Sequence, residues 1–221
     1  METSLEAISA AFECILPKGF AADWLPIDLA AQTALAAEER VRVASWGRHR
    51  QLEFAAGRHC ARRALEKAGF RDWADLTSKV GGVPVWPEAY VGSISHCRGL
   101  ALAVAASSSV ALLLGVDLEK TNRISEAATK RVVHPQEESF VAGDQVRASI
   151  LFSLKEAFYK AQYPRDRTNG NFHDLILKVD LEAGTARAVE LAPCFQRDLL
   201  KLQFAYRVVG NRVVSLCWAK T

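Results

Sequence analysis

Val116-Asp-Leu-Glu119 sets two carboxylates one residue apart at the end of the apolar run Ala111-Leu-Leu-Leu-Gly115. Branched residues crowd that run, and it reads as a strand. Side chains at i and i+2 of a strand share a face, ~7 Å apart. Asp117 and Glu119 then converge on one side, while Val116 and Leu118 pack on the other. Like charges at the edge of a core cost free energy unless a cation sits between them. Mg²⁺ suits that place, because it takes hard oxygen ligands and keeps waters or phosphate oxygens in its shell. A solvated strand end accommodates the same two acids. These residues alone leave both readings open, and a third carboxylate facing them would decide.

Basic and nucleophilic groups are scattered upstream. Arg40, Arg42, Arg48, Arg50, Arg58, Arg62 and Arg63 crowd one stretch, and such a run is ordinarily a solvated helix face. Arg58 and Arg62, one turn apart, also form a pair suited to phosphate, since a guanidinium holds two oxygens at once. Lys79 stands just before Gly81-Gly82. In Val91-Gly-Ser-Ile-Ser-His96, Ser95 and His96 offer hydroxyl and imidazole donors to a phosphate; a polar group satisfied within the fold is the plainer account. Cys97 beside His96 invites a thiol-nucleophile reading. Adjacent strand residues point to opposite faces, which places His96 badly to deprotonate it. Downstream, Glu156 and Lys160 stand at i and i+4, by spacing alone a surface ion pair worth a few tenths of a kcal/mol.

The elements that must position these groups follow from periodicity. Residues 1 to about 36 read as irregular, with a strand at Ala11–Leu16 and a loop at Trp24–Ile27. Glu38 to Ala68 reads as the longest helix, with Gly69 at its end and a break at Gly57, where glycine costs ~1 kcal/mol against alanine. Residues 71 to 92 carry loop chemistry in Gly81-Gly82-Val-Pro84 and Trp86-Pro87. Leu100 to Val116 reads as two buried strands joined at Ser107-Ser-Ser109; it is shorter than the ~20 residues a membrane-spanning helix needs. Gln145 to Ala161 is a second helix with an apolar stripe of Ile150, Leu151, Leu154, Phe158 and Ala161. Leu175–Val179, Leu202–Val209 and Arg212–Trp218 read as strands, the last two joined by the hairpin signal Gly210-Asn211. Helices followed by strands, twice over, predict an α+β protein of two lobes, residues 1–108 and 109–221, joined near Ser107 to Val110.

Composition narrows the class. The chain has 221 residues, half of them apolar, and a net charge of +3. That charge is too small to argue for nucleic acid and is compatible with an anionic ligand or an acidic partner. Five scattered cysteines with no C-x-x-C pair indicate neither a zinc site nor a disulfide framework. Reduced thiols, an acidic N-terminus without signal-peptide character and no spanning segment predict a cytoplasmic protein without membrane association.

Four stretches occur together in order: Gly57-Arg-His-Cys-Ala-Arg62, Trp86-Pro-Glu-Ala-Tyr-Val-Gly-Ser-Ile-Ser-His96, Gly115-Val-Asp-Leu-Glu119 and Phe152-Ser-Leu-Lys-Glu-Ala-Phe-Tyr-Lys160. Their combination resembles the 4′-phosphopantetheinyl transferases of the longer, surfactin/enterobactin-synthetase type, over roughly residues 40 to 164. The resemblance implies two similar α+β lobes in pseudo-twofold arrangement, each a small antiparallel sheet with helices, and an active site between them. The N-terminal lobe would contact the nucleotide of coenzyme A; the C-terminal lobe would carry the metal site, the general base and the carrier-docking face. It implies Mg²⁺-dependent transfer of the phosphopantetheine arm from coenzyme A to a serine of an acyl or peptidyl carrier protein, with adenosine 3′,5′-bisphosphate leaving. Carriers of fatty-acid, polyketide, nonribosomal-peptide or siderophore synthesis are the implied partners.

On the same resemblance, Asp117, Glu119 and Glu156 match the metal carboxylates. Glu156 also matches the general base, and Lys160 the lysine on the coenzyme A phosphates. Asp117 doubles as a cofactor contact. Ser95 and His96 match residues at the nucleotide end, and Arg50, Arg58 and Lys79 match basic nucleotide contacts. Arg62 belongs to its motif without an assigned contact. Arg123, Lys130 and Arg131, with Val132 and Phe140, are the expected docking face for an acidic carrier helix. One chain of this length holds every motif, so a monomer is expected. The rivals are a non-catalytic coenzyme A or nucleotide-binding module, a Mg²⁺-dependent nucleotide phosphohydrolase, and a Cys97 hydrolase. Retention of Asp117, Glu119, Glu156 and Lys160 argues against the first, and strand geometry against the last.

Overall fold

The structure, a computed structural model, describes residues 5–30, 35–72, 76–77, 82–195 and 201–221. In chain order its elements are α1 (Leu5–Ile15), β1 (Phe20–Pro26), α2 (Ala37–Val43), α3 (Arg48–Lys67), β2 (Tyr90–Cys97), β3 (Leu100–Ser107), β4 (Ala111–Lys120), α4 (Glu126–Val132), α5 (Glu138–Val141), α6 (Gln145–Asp166), β5 (Leu175–Asp180), β6 (Thr185–Leu191), β7 (Gln203–Val209) and β8 (Arg212–Lys220). Two compact units result, one of residues 16–114 and one combining 1–15 with 115–220. Both are α+β, each with a long helix laid on a sheet. Among the described residues, no helix is long and apolar enough to cross a membrane.

The first unit is a three-stranded antiparallel sheet of order β1-β3-β2 with α3 packed across it. Small side chains make close packing possible. Ala55, Ala56, Cys60, Ala61 and Ala64 of α3 are fully buried, as are Ala101, Ala103 and Ala105 at alternate positions of β3. Trp24 to Pro26, expected as loop, is the second half of β1, pairing with β3 from Trp24↔Leu102 to Pro26↔Leu100. Proline is tolerated there because β1 is an edge strand. The expected helical break at Gly57 falls instead at residues 44–47, between α2 and α3. Gly57 lies mid-helix, where a Cβ would stand 2.8 Å from Ile94 Cγ2. Its glycine serves the close approach of α3 to β2.

The second unit is a five-stranded sheet of order β4-β8-β7-β6-β5. The Gly210-Asn211 hairpin joins β7 and β8, Val209 pairing with Arg212. Helix α6 packs on β8 and α1 on β7. Residues 11–15, expected as strand, belong to α1: Ile8, Phe12 and Ile15 recur at i, i+4 and i+7 and are all buried. Asp144 starts α6, its Oδ1 accepting from the N–H groups of Val146 (2.7 Å) and Arg147 (3.2 Å). Gly115 sets the depth of the packing. A Cβ there would lie 1.9 Å from the Ala157 carbonyl oxygen and 2.6 Å from the Ala161 nitrogen. Glycine at the head of the Asp117-x-Glu119 segment therefore lets β4 and α6 meet backbone to backbone.

Candidate active site

That contact brings the acidic end of β4 against one face of α6. Val116 and Leu118 are fully buried and Asp117 is 3% exposed. Ser153, Glu156 and Lys160 recur at i, i+3 and i+7 and share the α6 face turned to β4. Asp117 Oδ1 takes a 2.6 Å bond from Lys160 Nζ, and its Oδ2 a 2.9 Å bond from Ser153 Oγ. The sequence expectation of a surface Glu156–Lys160 pair is thus corrected: Lys160 pairs across to the strand. Glu156 is half-buried, and its carboxyl is pushed above the ordinary range by burial first and by the Asp117 charge next, with Glu119 adding to the rise and Lys160 and Arg123 opposing it. Glu119 keeps Arg123 Nε at 3.6 Å.

The donor set has the chemistry a hard divalent cation requires, three carboxylates accumulating negative charge in partly buried surroundings. Glu156 bears that charge as a raised carboxyl, which a cation would relieve. In the geometry present, no three His, Cys, Asp or Glu groups among the described residues stand at ligand spacing. Asp117 is instead satisfied by Lys160 and Ser153.

Lys155, next to Glu156, has a different occupation. It is fully buried and donates to Glu137 Oε2 (2.6 Å), the Val132 carbonyl (3.0 Å) and the Phe172 carbonyl (2.8 Å). Glu137 in turn accepts from the N–H groups of His134 (2.9 Å) and Leu177 (2.8 Å). Burial lowers the Lys155 ammonium, and the Glu137 charge opposes that shift. This pair fastens α6 to the 3-10 turn before α5 and to β5.

In the first unit, α3 and β2 bring together two residues 46 positions apart. Arg50 Nη1 lies 3.2 Å from His96 Nε2. Gly57 explains the meeting: Ile94, its neighbour, and His96 share one face of β2, and positions 50, 53 and 57 share one face of α3. Glu53 joins them, 3.2 Å from Arg50 Nη1 and 3.5 Å from His96 Nδ1. Ser95 is buried at 4% exposure, on the opposite strand face from His96. Arg58 is not a solvated cation. It is 4% exposed, stacked 4.4 Å over the Phe54 ring, and ion-paired through Nε with Glu39 Oε1 at 3.2 Å. Burial lowers its guanidinium to about 10, opposed first by Glu39. Arg62 holds the other Glu39 oxygen at 2.5 Å. Arg58 and Arg62 are thus a pair, as the spacing predicts, but one gathered on a buried carboxylate of α2. Lys79 lies outside the described residues.

Of the expected docking residues, Arg123, Lys130 and Arg131 are exposed and Phe140 is half-buried. Val132 belongs to the core at 3% exposure, a correction that leaves the cationic part of that face. Cys97 is buried at the end of β2. Sequence reasoning missed Ser153, Lys155, Glu137, Glu53 and Glu39. The i, i+3, i+7 spacing of Ser153, Glu156 and Lys160 was a signal for the first; nothing local marks the buried pairs.

Residues 37–106 match the 4′-phosphopantetheinyl transferase N-terminal domain, and residues 113–217 the 4′-phosphopantetheinyl transferase superfamily. The chain belongs to the 4′-phosphopantetheinyl transferases, and with them to that class of enzymes. It is 36% identical to 4′-phosphopantetheinyl transferase Svp of Streptomyces mobaraensis over 71% of this chain and 65% of that protein. It is 32% identical to 4′-phosphopantetheinyl transferase Npt of Nocardia iowensis over 79% of each. It is also 32% identical to enterobactin synthase component D of Salmonella austin, over 81% of this chain and 76% of that protein. The matched region thus spans a little under two thirds of Svp and about three quarters or more of the other two.

Proposed function

We propose that this chain transfers the 4′-phosphopantetheine arm of coenzyme A to a serine of an acyl or peptidyl carrier protein, releasing adenosine 3′,5′-bisphosphate. The observation that carries the reading is the meeting of Asp117 and Glu119 on β4 with Glu156 and Lys160 on α6. The family match over residues 113–217 spans all four.

Asp117, Glu119 and Glu156 would hold a Mg²⁺ ion, which when bound supplies positive charge to the pyrophosphate oxygens. The chain's own residues do the rest. Lys160, fixed on Asp117, keeps an ammonium beside the phosphates and favours charge on the departing group. A serine hydroxyl is a weak nucleophile at neutral pH, and a base within reach helps by ~10²–10⁴-fold. Glu156 takes that role on the resemblance; with a cation on the same carboxyl its affinity for a proton falls, and a water held at the site would then take the serine proton in its place. Ser153 holds the second oxygen of Asp117 and so fixes its orientation. Arg50 and His96 would receive the nucleotide end. Ser95, Arg58 and Lys79 are assigned to the same end on resemblance alone.

Glu156→Gln tests the reading. The variant is expected to bind coenzyme A while losing transfer by ~10²-fold or more. Transfer within a few-fold of the unaltered protein would remove Glu156 from the chemistry.

A further inference from the structure

Glu53 is a carboxylate among groups assigned to an anion. Its side chain is 14% exposed and lies 3.2 Å from Arg50 Nη1, 3.5 Å from His49 Nδ1 and 3.5 Å from His96 Nδ1. A negative charge there opposes an incoming phosphate. The proton positions on His96 give it a use. Arg50 Nη1 is 3.2 Å from His96 Nε2, and a guanidinium only donates. Nε2 is therefore the accepting nitrogen, and the ring proton sits on Nδ1, on the side of Glu53. His96 in this arrangement is neutral, with Arg50 facing the nitrogen that a ligand would meet.

A phosphate oxygen only accepts. It competes with Nε2 for the Arg50 N–H, and Nε2 can donate to the phosphate only when it carries a proton; with Nδ1–H kept on the side of the Glu53 carboxylate, that proton is an added one and not the Nδ1 proton moved across the ring. That proton comes from solvent. One N–H bond forms at Nε2 as the hydronium or buffer acid that supplies the proton gives up its own bond to it, and the ring becomes an imidazolium donating Nδ1–H toward Glu53 and Nε2–H to the phosphate. A carboxylate beside the ring stabilises the cation and fixes the ring plane. From α3, Arg50 and Glu53 face His96, with His49 beyond Glu53, and from β3 Ala101 is its register partner.

We propose that Glu53 is a positioning residue that makes His96 a proton-linked phosphate clamp, so that the nucleotide end of the substrate binds with uptake of a proton at His96. The proposal rests on the reading that Arg50 and His96 receive that end. It gives the α3 carboxylate a role in binding rather than in chemistry.

Calorimetric titration of the full chain with adenosine 3′,5′-bisphosphate, in buffers of different ionisation enthalpy near pH 7.5, counts the protons exchanged. His96→Gln subtracts any exchange by the nucleotide's own phosphates. The unaltered protein is expected to take up about half a proton or more per nucleotide beyond His96→Gln. Glu53→Gln should lose most of that excess and bind about three- to tenfold more weakly, while Glu53→Asp keeps part of the excess. Thermal melts of each variant separate this from a folding defect. Equal uptake in Glu53→Gln and the unaltered protein would overturn the role of Glu53. Uptake no greater than in His96→Gln would overturn the clamp while leaving nucleotide binding in place. Absence of nucleotide binding altogether would remove the underlying reading, a different outcome that binding heats distinguish.

Discussion

A half-buried carboxyl beside another carboxylate is held in its ionised form at a cost to the fold. Burial and the Asp117 charge raise the Glu156 carboxyl, so the folded chain favours its protonated form. Its contribution to stability is fully present below the ordinary glutamate value and is lost as pH rises through the raised one. Glu156→Gln removes that loss. In metal-free buffer its Tm should exceed that of the unaltered protein at pH 8, by about 2–4 °C for each kcal/mol relieved. The gap should close as pH falls to about 4. A gap independent of pH would mean that side-chain packing, not charge, separates the two. At this scale the carboxylates and Lys160 were legible because their types and order are specific. Their partners were not: i, i+4 spacing links Glu156 to Lys160 along one helix, whereas the bond forms across to Asp117.

Helix α6 carries Glu156 and Lys160, and its placement depends on two devices. Gly115 admits the helix backbone to β4, and Lys155–Glu137 fastens its far side. Lys155→Met leaves Glu137 buried without its cation and should cost ~3–5 kcal/mol in urea unfolding. Adding Glu137→Leu should recover only part of this, because the N–H groups of His134 and Leu177 then lose their acceptor. A cost below ~1 kcal/mol would show the pair contributes little to holding the helix. Elements with one strong signal were readable from sequence: β3 and β4 as apolar runs parted by serines, and β7 and β8 around Gly210-Asn211. Others were not. The α1 stripe begins at Ile8, upstream of the segment that looked extended, and β1 is an edge strand ending in proline. The exposed β6 has too little apolar alternation to announce itself.

At the scale of the whole molecule, two α+β units carry different halves of the proposed chemistry. Residues 16–114 present Arg50 and His96, and residues 115–220 present the carboxylates. The exposed cations Arg123, Lys130 and Arg131 follow the acidic strand directly in sequence, where an acidic carrier helix would be drawn. Arg131→Glu should raise KM for the carrier by about three- to tenfold and leave that for coenzyme A unchanged. Unchanged carrier kinetics would remove Arg131 from the docking face. The two-unit α+β class was legible from the order of helices and strands. The return of residues 5–15 to the second unit was not, because a chain reversal of that length leaves no local signature.

The central claim is group transfer to a carrier. Its most direct test is the intact mass of an apo carrier protein after incubation with this protein, coenzyme A and Mg²⁺, beside samples containing EDTA or the Glu156→Gln variant. The account predicts the gain of one phosphopantetheine arm, lost in both controls. No gain on several unrelated carriers, with coenzyme A binding intact, would contradict it and leave a binding module in its place.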